Sequence, residues 1–271
     1  MLREVVIHSF NELQNEVFSD VWDGQLMRYR DNKVYRGMED KSWGCLPSLN
    51  RACPHDLTLE KQMLRSFKKY GYADLPQNMS FWQLLALAQQ FGLPTRLLDW
   101  TYSPLVAAHF VTENVGAYDQ DGAILCADMK VFNKYLPDRL RNILDEERTC
   151  SFSFGMLDSL AGSFEELKTL SDKPFALFFE PASAVDRIAN QYALFSLSTD
   201  PIIRLDELPG ADEAIRRIVI PKEIKLEIRD KLDYINISER MIYPGLGGIA
   251  KWITRRFSDL GPKYNQNNFE K

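Results

Sequence analysis

Apolar residues recur with a helical period in several segments of the chain, and most of these segments follow a residue that can cap a helix. Ser80 and Gln83 match a capping box, in which each side chain bonds to the backbone N–H of the other residue. The segment behind them is apolar on nearly every face, which is typical of a buried helix. We therefore expect Trp82, Leu85 and Phe110 to pack in one core cluster. The capping signals and the periodicity predict helices over 10–19, 59–70, 81–91, from 104 onward, 222–232 and 247–257.

Short runs that alternate between apolar and polar residues, or that are apolar throughout, predict strands. These runs lie at 33–37, 123–127, 175–179, 192–197 and 215–220. The helices and strands are interspersed without a strict strand–helix–strand rhythm, which favours an α+β fold over a doubly wound sheet. We expect a loop at 46–49, and either a surface loop or a short helix at 162–172.

The length and composition predict one large domain, or one domain with a helical extension. The chain has 271 residues, of which 45% are apolar and 26% are charged, as in an ordinary globular protein. We divide it into an N-terminal helical segment at 1–29, a single domain at 30–258 and a C-terminal tail at 259–271. The polar stretch 265–268 in that tail is expected to be disordered.

Charge and cysteine usage narrow the classes of function. The net charge of −5 provides no global basic field for nucleic acid, so such a contact needs a local patch. No apolar run approaches the ~20 residues of a membrane span, and the N-terminus does not resemble a signal peptide. The four cysteines have no C-x-x-C spacing. We therefore expect reduced thiols, a cytoplasmic location, no metal and no membrane partner.

Two familiar kinds of site find little support. The Gly-rich run 245–248 lacks the preceding strand and the Lys-Ser or Lys-Thr pair of a phosphate loop, and it is better interpreted as a turn. The chain has only three histidines, which makes a histidine metal site or a Ser-His-Asp triad hard to build. His109 lies inside an apolar run and is expected to be a core residue with a local hydrogen bond.

The segment 91–105 has the composition of a binding crevice. It combines Gly, Pro, Arg, Asp, Trp and Thr in one turn between two apolar helical patterns. Within it, Arg96 and Asp99 place both signs of charge beside Trp100. The alternative is that Arg96 and Asp99 form a structural ion pair with each other.

A second motif, Tyr35-Arg36-Gly37, ends the predicted strand at 33–37. Arg36 is either an ordinary surface residue or a planar fork that binds a phosphate or a carboxylate. In the second interpretation, Gly37 allows a ligand to approach the backbone.

Both motifs belong to a set of blocks that together resemble the FRG domain family, which is named for a Phe/Tyr-Arg-Gly motif. The resemblance extends over roughly 30–255 and is most specific in the segment 87–101. One departure is Gln90, because many members carry a histidine there. The other blocks are 35–37, 43–51, 187–195 (with Arg187, Ile188 and Gln191) and 243–250.

A further resemblance, to ADP-ribosyltransferases, implies a chemistry and a split-sheet fold. In that family an arginine in a strand-ending Tyr-Arg-Gly motif contacts the phosphates or ribose of NAD, and Arg36 matches it. A strand leading into a Val-Ala-x-x-Phe helix is matched by 98–103 and 106–110, and Gln191 matches the start of a Gln/Glu-x-Glu strand. The split sheet implies that Arg36 and Asp99 share one crevice.

The resemblance fails at the catalytic glutamate of that family, because Ala193 stands in its place. The glutamate bonds to the nicotinamide ribose and stabilises an oxocarbenium-like transition state. Gln191 can hold a ribose hydroxyl but carries no charge, so Asp99 or Glu180 would have to supply the anion. Loss of one such electrostatic group typically lowers the rate by ~10²–10³.

The resemblance thus implies NAD-dependent ADP-ribosyl transfer by a bacterial toxin or phage-defence effector, with NAD as substrate and no metal. The acceptor would be a protein or a nucleic acid, and an antitoxin protein would be a partner. Tyr35 and Trp100 would offer flat surfaces, and Thr101 and Gln191 would bind ribose hydroxyls. Under this hypothesis Arg36, Asp99 and Gln191 are catalytic, and NAD is bound by Tyr35, Gly37, Arg96, Trp100 and Thr101.

Two other classes of function stay open. Ala193 favours a non-catalytic module that binds a nucleotide or a partner and has lost the chemistry. The second alternative is a hydrolase that acts on a nucleotide such as NAD, with Asp99 as its base.

Overall fold

A computed structural model describes residues 2–181 and 190–258 of the chain. The Arg187-Ile188 part of the family resemblance and the predicted tail 259–271, with its polar stretch 265–268, lie outside these residues. The described strands are β1 Arg3–Val6, β2 Trp22–Asp23, β3 Arg28–Tyr29, β4 Lys33–Met38, β5 Leu97–Thr101, β6 Gly122–Asp128, β7 Ala176–Phe179, β8 Ala193–Ser198 and β9 Ile215–Ile220.

The α-helices are mostly short, and none in the described part of the chain has the length and apolar character of a membrane span. They are α1 Phe10–Phe18, α2 Ser48–Ala52, α3 Leu59–Tyr70, α4 Phe81–Gln90, α5 Pro104–Thr112, α6 Met129–Asn133, α7 Asp138–Glu147, α8 Phe154–Leu160, α9 Phe164–Lys168, α10 Ala211–Ala214, α11 Lys225–Tyr234, α12 Glu239–Ile242 and α13 Leu246–Phe257.

Seven strands form one mixed sheet in the order β1-β9-β6-β4-β5-β8-β7, and β2 and β3 form a separate ribbon. β1 runs parallel to β9, and the other neighbours in the large sheet are antiparallel. β4 and β5 share a single residue pair, Tyr35 with Thr101. The sheet is therefore split along the β4–β5 seam into one half with β1, β9, β6 and β4 and another with β5, β8 and β7.

The seam register fixes which side chains share a face of the sheet, because directly opposed residues of antiparallel strands point the same way. On the face of Tyr35 and Thr101, α5 and α11 pack on the first half of the sheet, and α4 and α8 pack on the second half. The opposite face is covered by one apolar cluster that spans both halves. The seam consequently opens between α4 and α5.

Local sequence signals account well for the elements beside the seam. Ser80 and Gln83 close a capping box on α4, and Gly92 follows this helix with a φ of +86°. Ser103 accepts a hydrogen bond from the N–H of Val106, with Pro104 in the first turn of α5. The predicted strands and the α+β class are confirmed.

Several predictions about individual segments are wrong. The N-terminal segment is not only helical, because β1 joins the edge of the sheet through backbone pairing with β9. The predicted loop 46–49 ends in α2, which is anchored by the buried Leu49 and its N–H bond to the carbonyl of Thr95. The turn predicted from composition within 91–105 contains β5, which agrees with the strand that the ADP-ribosyltransferase resemblance implies at 98–103. Helices α6, α7 and α8 were not predicted.

Candidate functional site

A crevice of about 270 Å³ opens at the seam, between the end of α4 and the face of α5. Of the residues predicted from the sequence to form the site, the wall includes all except Arg96 and the alternative anion Glu180. Those seven residues are Tyr35, Arg36, Gly37, Asp99, Trp100, Thr101 and Gln191. The rest of the wall consists of Glu39, Trp43, Gln89, Gln90, Phe110, Glu113 and Ala193.

Arg36 bridges the seam. Its Nη1 donates a hydrogen bond of 2.8 Å to the backbone carbonyl of Asp99, where β4 and β5 have no ladder bonds of their own. The same nitrogen lies 4.0 Å from Oδ2 of the Asp99 carboxylate. The structure thus brings Arg36 and Asp99 into one crevice, as the split sheet predicts. A guanidinium has five N–H donors, so this arrangement leaves donors for an anionic ligand.

Asp99 presents a fixed carboxylate to the crevice. Its side chain is 55% exposed. Its Oδ2 accepts a 3.0 Å hydrogen bond from Nε2 of Gln89, whose Oε1 accepts a 2.6 Å bond from the hydroxyl of Thr95. An ionised carboxylate held in this way can stabilise a positive charge that develops beside it.

Arg96 lies elsewhere and does not pair with Asp99. Its Nε and backbone N–H donate to the buried carboxylate of Glu60 at 2.6 and 2.7 Å. Its guanidinium also lies 3.5 Å from the ring centroid of Phe164. Burial raises the pKa of Glu60, and the charge and hydrogen bonds of Arg96 oppose that shift. Arg96 therefore joins α3 to the start of β5, and the prediction that it binds a ligand in the crevice is wrong.

Tyr35 and Trp100 contribute to the wall, but their rings are not available as flat surfaces. Trp100 is 3% exposed, and its indole N–H donates a 2.8 Å bond to the hydroxyl of Ser196 inside the core. The ring of Tyr35 packs under α5 and α11, and burial raises the pKa of its phenol far above the usual value. Alternation along each strand explains both outcomes, because it directs these rings into closed faces of the sheet.

Gly37 is required by the helix above it. A Cβ at this position would lie 2.0 Å from the carbonyl oxygen of Ala107 and 2.9 Å from Cβ of Phe110. The close approach that the glycine permits is thus that of α5 to β4. This packing, rather than ligand access, explains the glycine of the Tyr-Arg-Gly motif.

Thr101, Gln191 and Ala193 close the end of the seam. The hydroxyl of Thr101 donates 2.7 Å to the carbonyl of Gln191 and accepts from the N–H of Ser103 at 3.0 Å. The amide of Gln191 donates 3.3 Å to the carbonyl of Ile242. These contacts position the start of β8, where Ala193 forms part of the wall.

Glu180 does not line the crevice. Its carboxylate accepts hydrogen bonds from Tyr102 at 2.5 Å and Ser151 at 2.8 Å. Between the two anions proposed to replace the missing glutamate, the geometry favours Asp99.

Aromatic surface in the crevice comes from residues that were not expected at the site from the sequence. Trp43 is 49% exposed in the loop after β4, and Phe110 faces the crevice from α5. Phe110 was predicted to share a cluster with Trp82 and Leu85, which do pack together. It does not join them because α4 and α5 cover different halves of the sheet.

A second carboxylate, Glu113, enters the wall from the end of α5. Its Oε2 accepts a 2.7 Å bond from the hydroxyl of Tyr243 and lies 3.4 Å from Nε2 of His109. Nδ1 of His109 in turn contacts Nη1 of the buried Arg229 at 2.7 Å. No local sequence pattern predicts this network, because Tyr243 is 130 positions from Glu113 in the chain.

The network keeps Glu113 charged and His109 neutral. Burial lowers the pKa of His109, and the Arg229 guanidinium adds to this effect. Burial alone would raise the pKa of Glu113, but the contacts with His109 and Tyr243 outweigh it and lower the pKa. Since Arg229 can only donate to Nδ1, the imidazole proton lies on Nε2. This nitrogen is 3.4 Å from Oε2 of Glu113 and forms no hydrogen bond within the described residues.

Comparison with known proteins adds one match. The family model of the FRG domain matches residues 31–120, which confirms the resemblance to this family. No curated protein matches the chain, and no solved structure matches it. The matched residues include the Tyr-Arg-Gly motif, the whole of β5 and all of α5.

Proposed function

We propose that this chain, whose residues 31–120 match the FRG domain, transfers ADP-ribose from NAD to an acceptor macromolecule. The observation that carries the proposal is the convergence of Arg36, Asp99 and the start of β8 on one crevice at a split in the sheet. The order of these motifs along the chain also follows the resemblance to ADP-ribosyltransferases. An acceptor in a host cell, with the chain acting as a toxin or phage-defence effector opposed by an antitoxin protein, fits the same proposal.

The proposed reaction exchanges one bond at C1′ of the nicotinamide ribose. The C1′–N bond breaks, and its electron pair leaves with the ring as neutral nicotinamide. A heteroatom of the acceptor bonds to C1′ with its own electron pair and loses a proton. Positive charge accumulates on the ribose in between, so a carboxylate beside C1′ lowers the barrier.

Residues of the crevice wall can bind the pyrophosphate, stabilise the ribose and stack on the rings of NAD. Arg36 holds the pyrophosphate with the donors that the Asp99 carbonyl does not use. The Asp99 carboxylate faces the ribose. Trp43 and Phe110 provide the flat surfaces, since the rings of Tyr35 and Trp100 are buried. Thr101 and Gln191 act mainly by fixing the start of β8.

The test is incubation of the full chain with NAD labelled in the adenylate half, together with total cell extract. Label on protein or nucleic acid supports transfer. The variant Asp99→Asn should lose about 10²–10³ in rate if Asp99 is the anion. Asp158→Asn, on the exposed side of α8, is the matched control and should behave as the wild type. Equal rates in both variants would remove Asp99 from the mechanism.

A binding module without chemistry is the second candidate, and one observation favours it. The wall position where the resemblance expects the catalytic glutamate is occupied by Ala193. Calorimetric binding of NAD to the chain, together with label that stays in NAD in the same assay, supports this candidate. Release of free ADP-ribose without labelled macromolecule supports a hydrolase instead.

A further inference from the structure

A groove of about 1000 Å³ lies beside α3, and none of the described residues that line it belongs to the crevice at the seam. One face of α3, the start of α4, the short helix α9 and the segments before α3 and after β8 form its walls. Its floor is apolar, because buried or half-buried side chains of Leu64, Phe81, Leu84 and Phe164 line it. A hollow with such a floor is a candidate site for a ligand that has apolar surface.

Basic side chains follow one wall of this groove. Lys61, Arg65 and Lys68 are exposed on α3, and their spacing along the chain places them on one face of the helix. At ~1.5 Å per residue, this row is about 10 Å long. Lys168 lines the groove from α9. The groove is therefore edged by cations over about two helical turns.

Three of these cations have no carboxylate partner in the described part of the chain. Lys61 pairs with Glu165 at 3.2 Å. No ion pair or side-chain hydrogen bond to another described residue involves Arg65, Lys68 or Lys168. Their positive charge is thus available to a ligand.

The other charged groups of the groove only partly cancel this charge. The Arg96 guanidinium is already paired with Glu60. Asp56 and Asp200 are the two remaining carboxylates of the lining, and each accepts a bond from a backbone N–H further along its own turn. The three unpaired cations outnumber these two carboxylates. The groove is thus a local basic patch on a chain whose net charge is −5.

The basic row leads into a second, smaller hollow. This hollow of about 220 Å³ shares Lys68 and Leu84 with the groove and is otherwise lined by uncharged residues between 72 and 79. Tyr72, one of them, is 67% exposed. Lys68 therefore borders both spaces, of which the groove contains the ring of Phe81 and the smaller hollow contains the ring of Tyr72.

This arrangement of cations and aromatic rings matches the composition of a single nucleic-acid strand. Such a strand carries a phosphate at every nucleotide, and its unpaired bases stack on aromatic side chains. A duplex keeps these faces inside its own stack. An acidic peptide supplies charges but no repeating flat groups, and the helical walls of the groove offer no strand edge for its backbone.

We propose that the groove beside α3 binds single-stranded nucleic acid, with phosphates on Arg65, Lys68 and Lys168 and bases against Phe81 and Tyr72. The groove is separate from the crevice, so the inference does not depend on the proposed transfer of ADP-ribose. It also supplies the local basic patch that a nucleic-acid contact requires on a chain of negative net charge.

Fluorescence anisotropy of a labelled oligodeoxythymidine of about ten nucleotides tests the site with the full chain and without NAD. We expect binding, and the logarithm of the association constant should fall with the logarithm of the salt concentration with a slope of about −2, for three phosphate contacts. Lys68→Gln removes one contact, so the slope should become about −1.4 and binding should weaken about eight-fold at ~50 mM salt. Lys69→Gln is the matched control, because it removes the same charge from the next residue of α3, which does not line the groove. It should bind as the wild type.

A second variant separates stacking from charge. Tyr72→Leu should weaken binding about 5- to 100-fold and leave the salt slope unchanged, because it removes a ring and no charge. Tyr70→Leu is its control, since Tyr70 is also exposed but lines neither the groove nor the smaller hollow. Poly-L-glutamate at the same charge concentration should not displace the oligonucleotide.

Several results would overturn the inference: no binding by the wild type at low salt, equal affinity of Lys68→Gln and Lys69→Gln, or equal affinity for a duplex of the same length. Displacement by polyglutamate as effective as that by unlabelled oligodeoxythymidine would assign the groove to acidic proteins instead. The outcome is separable from that of the proposed function, because none of these measurements uses NAD. Failure to bind the oligonucleotide leaves the transfer standing, and absence of nicotinamide release leaves the groove standing.

Discussion

Replacement of Gly37 by alanine separates the two explanations of the Tyr-Arg-Gly motif. If the glycine exists to admit a ligand, the added methyl group blocks the crevice and leaves the fold intact. If it exists to admit α5, the methyl group forces the helix away from β4. The structure favours the second explanation, because the new Cβ would lie 2.0 Å from the carbonyl oxygen of Ala107.

The size of the effect follows from that distance. A Cβ contact below 3.0 Å essentially never occurs in proteins, so α5 must shift by more than 1 Å at this point. Overpacking of a well-packed core typically costs about 1–3 kcal/mol and occasionally more. The backbone of a packed helix cannot rotate away as a side chain can, so we expect Gly37→Ala to reach the upper end of this range.

Urea unfolding provides the measurement, with Gly247→Ala as the matched control. Gly247 lies in the first turn of α13, and no atom lies within 4 Å of a Cβ added there. Alanine should therefore be neutral at that site, or stabilise by up to about 1 kcal/mol through helix propensity. An unchanged free energy of unfolding in Gly37→Ala, combined with lost ligand binding, would refute the packing argument and restore the ligand interpretation.

Two further variants test other parts of the structure. Leu85→Ala should lower the free energy of unfolding by about 2–5 kcal/mol, because Leu85 is fully buried in the apolar cluster that α4 and α8 form with the sheet. An almost unchanged urea midpoint would count against this packing. Trp43→Ala should weaken NAD binding by about 1–3 kcal/mol in calorimetry, with little change in melting temperature, if its half-exposed ring stacks on a base.

Elements with local signals could be predicted from the sequence. Three local signals each specify their own structure over a few residues: the capping box at Ser80, the Ser103-Pro104 start of α5 and the β-branched residues of Ile215–Ile220. β1 could not be predicted in this way, because three of its four side chains are exposed and backbone pairing with β9 holds it. The composition around β5 resembled that of a turn, because the charged Asp99 interrupts its apolar residues at the crevice.

The site could be located from the sequence, but the roles of its residues could not all be assigned. The motifs that contain Arg36 and Asp99 are unusual enough in composition to predict a crevice, and the structure brings the two residues together. Whether a strand residue is exposed depends on which face of the sheet is covered, and the sequence of the strand alone does not reveal this. Trp100 was therefore expected to offer a ligand surface, but its ring is buried in the core. Glu113 could not be predicted as a site residue, because the partners that fix its carboxylate come from α5 and from the distant segment before α13.

The most direct test of the central claim is the release of nicotinamide from NAD, measured by chromatography for the wild type and for Arg36→Lys. Lysine keeps the positive charge but cannot form two parallel hydrogen bonds to a phosphate. It also loses one seam bond to the Asp99 carbonyl, worth about 0.5–1.5 kcal/mol of stability, so both proteins should be folded at the assay temperature. The account predicts steady release by the wild type and a rate about 10²–10³ lower in Arg36→Lys. No release by the wild type, or equal release by both, would contradict it.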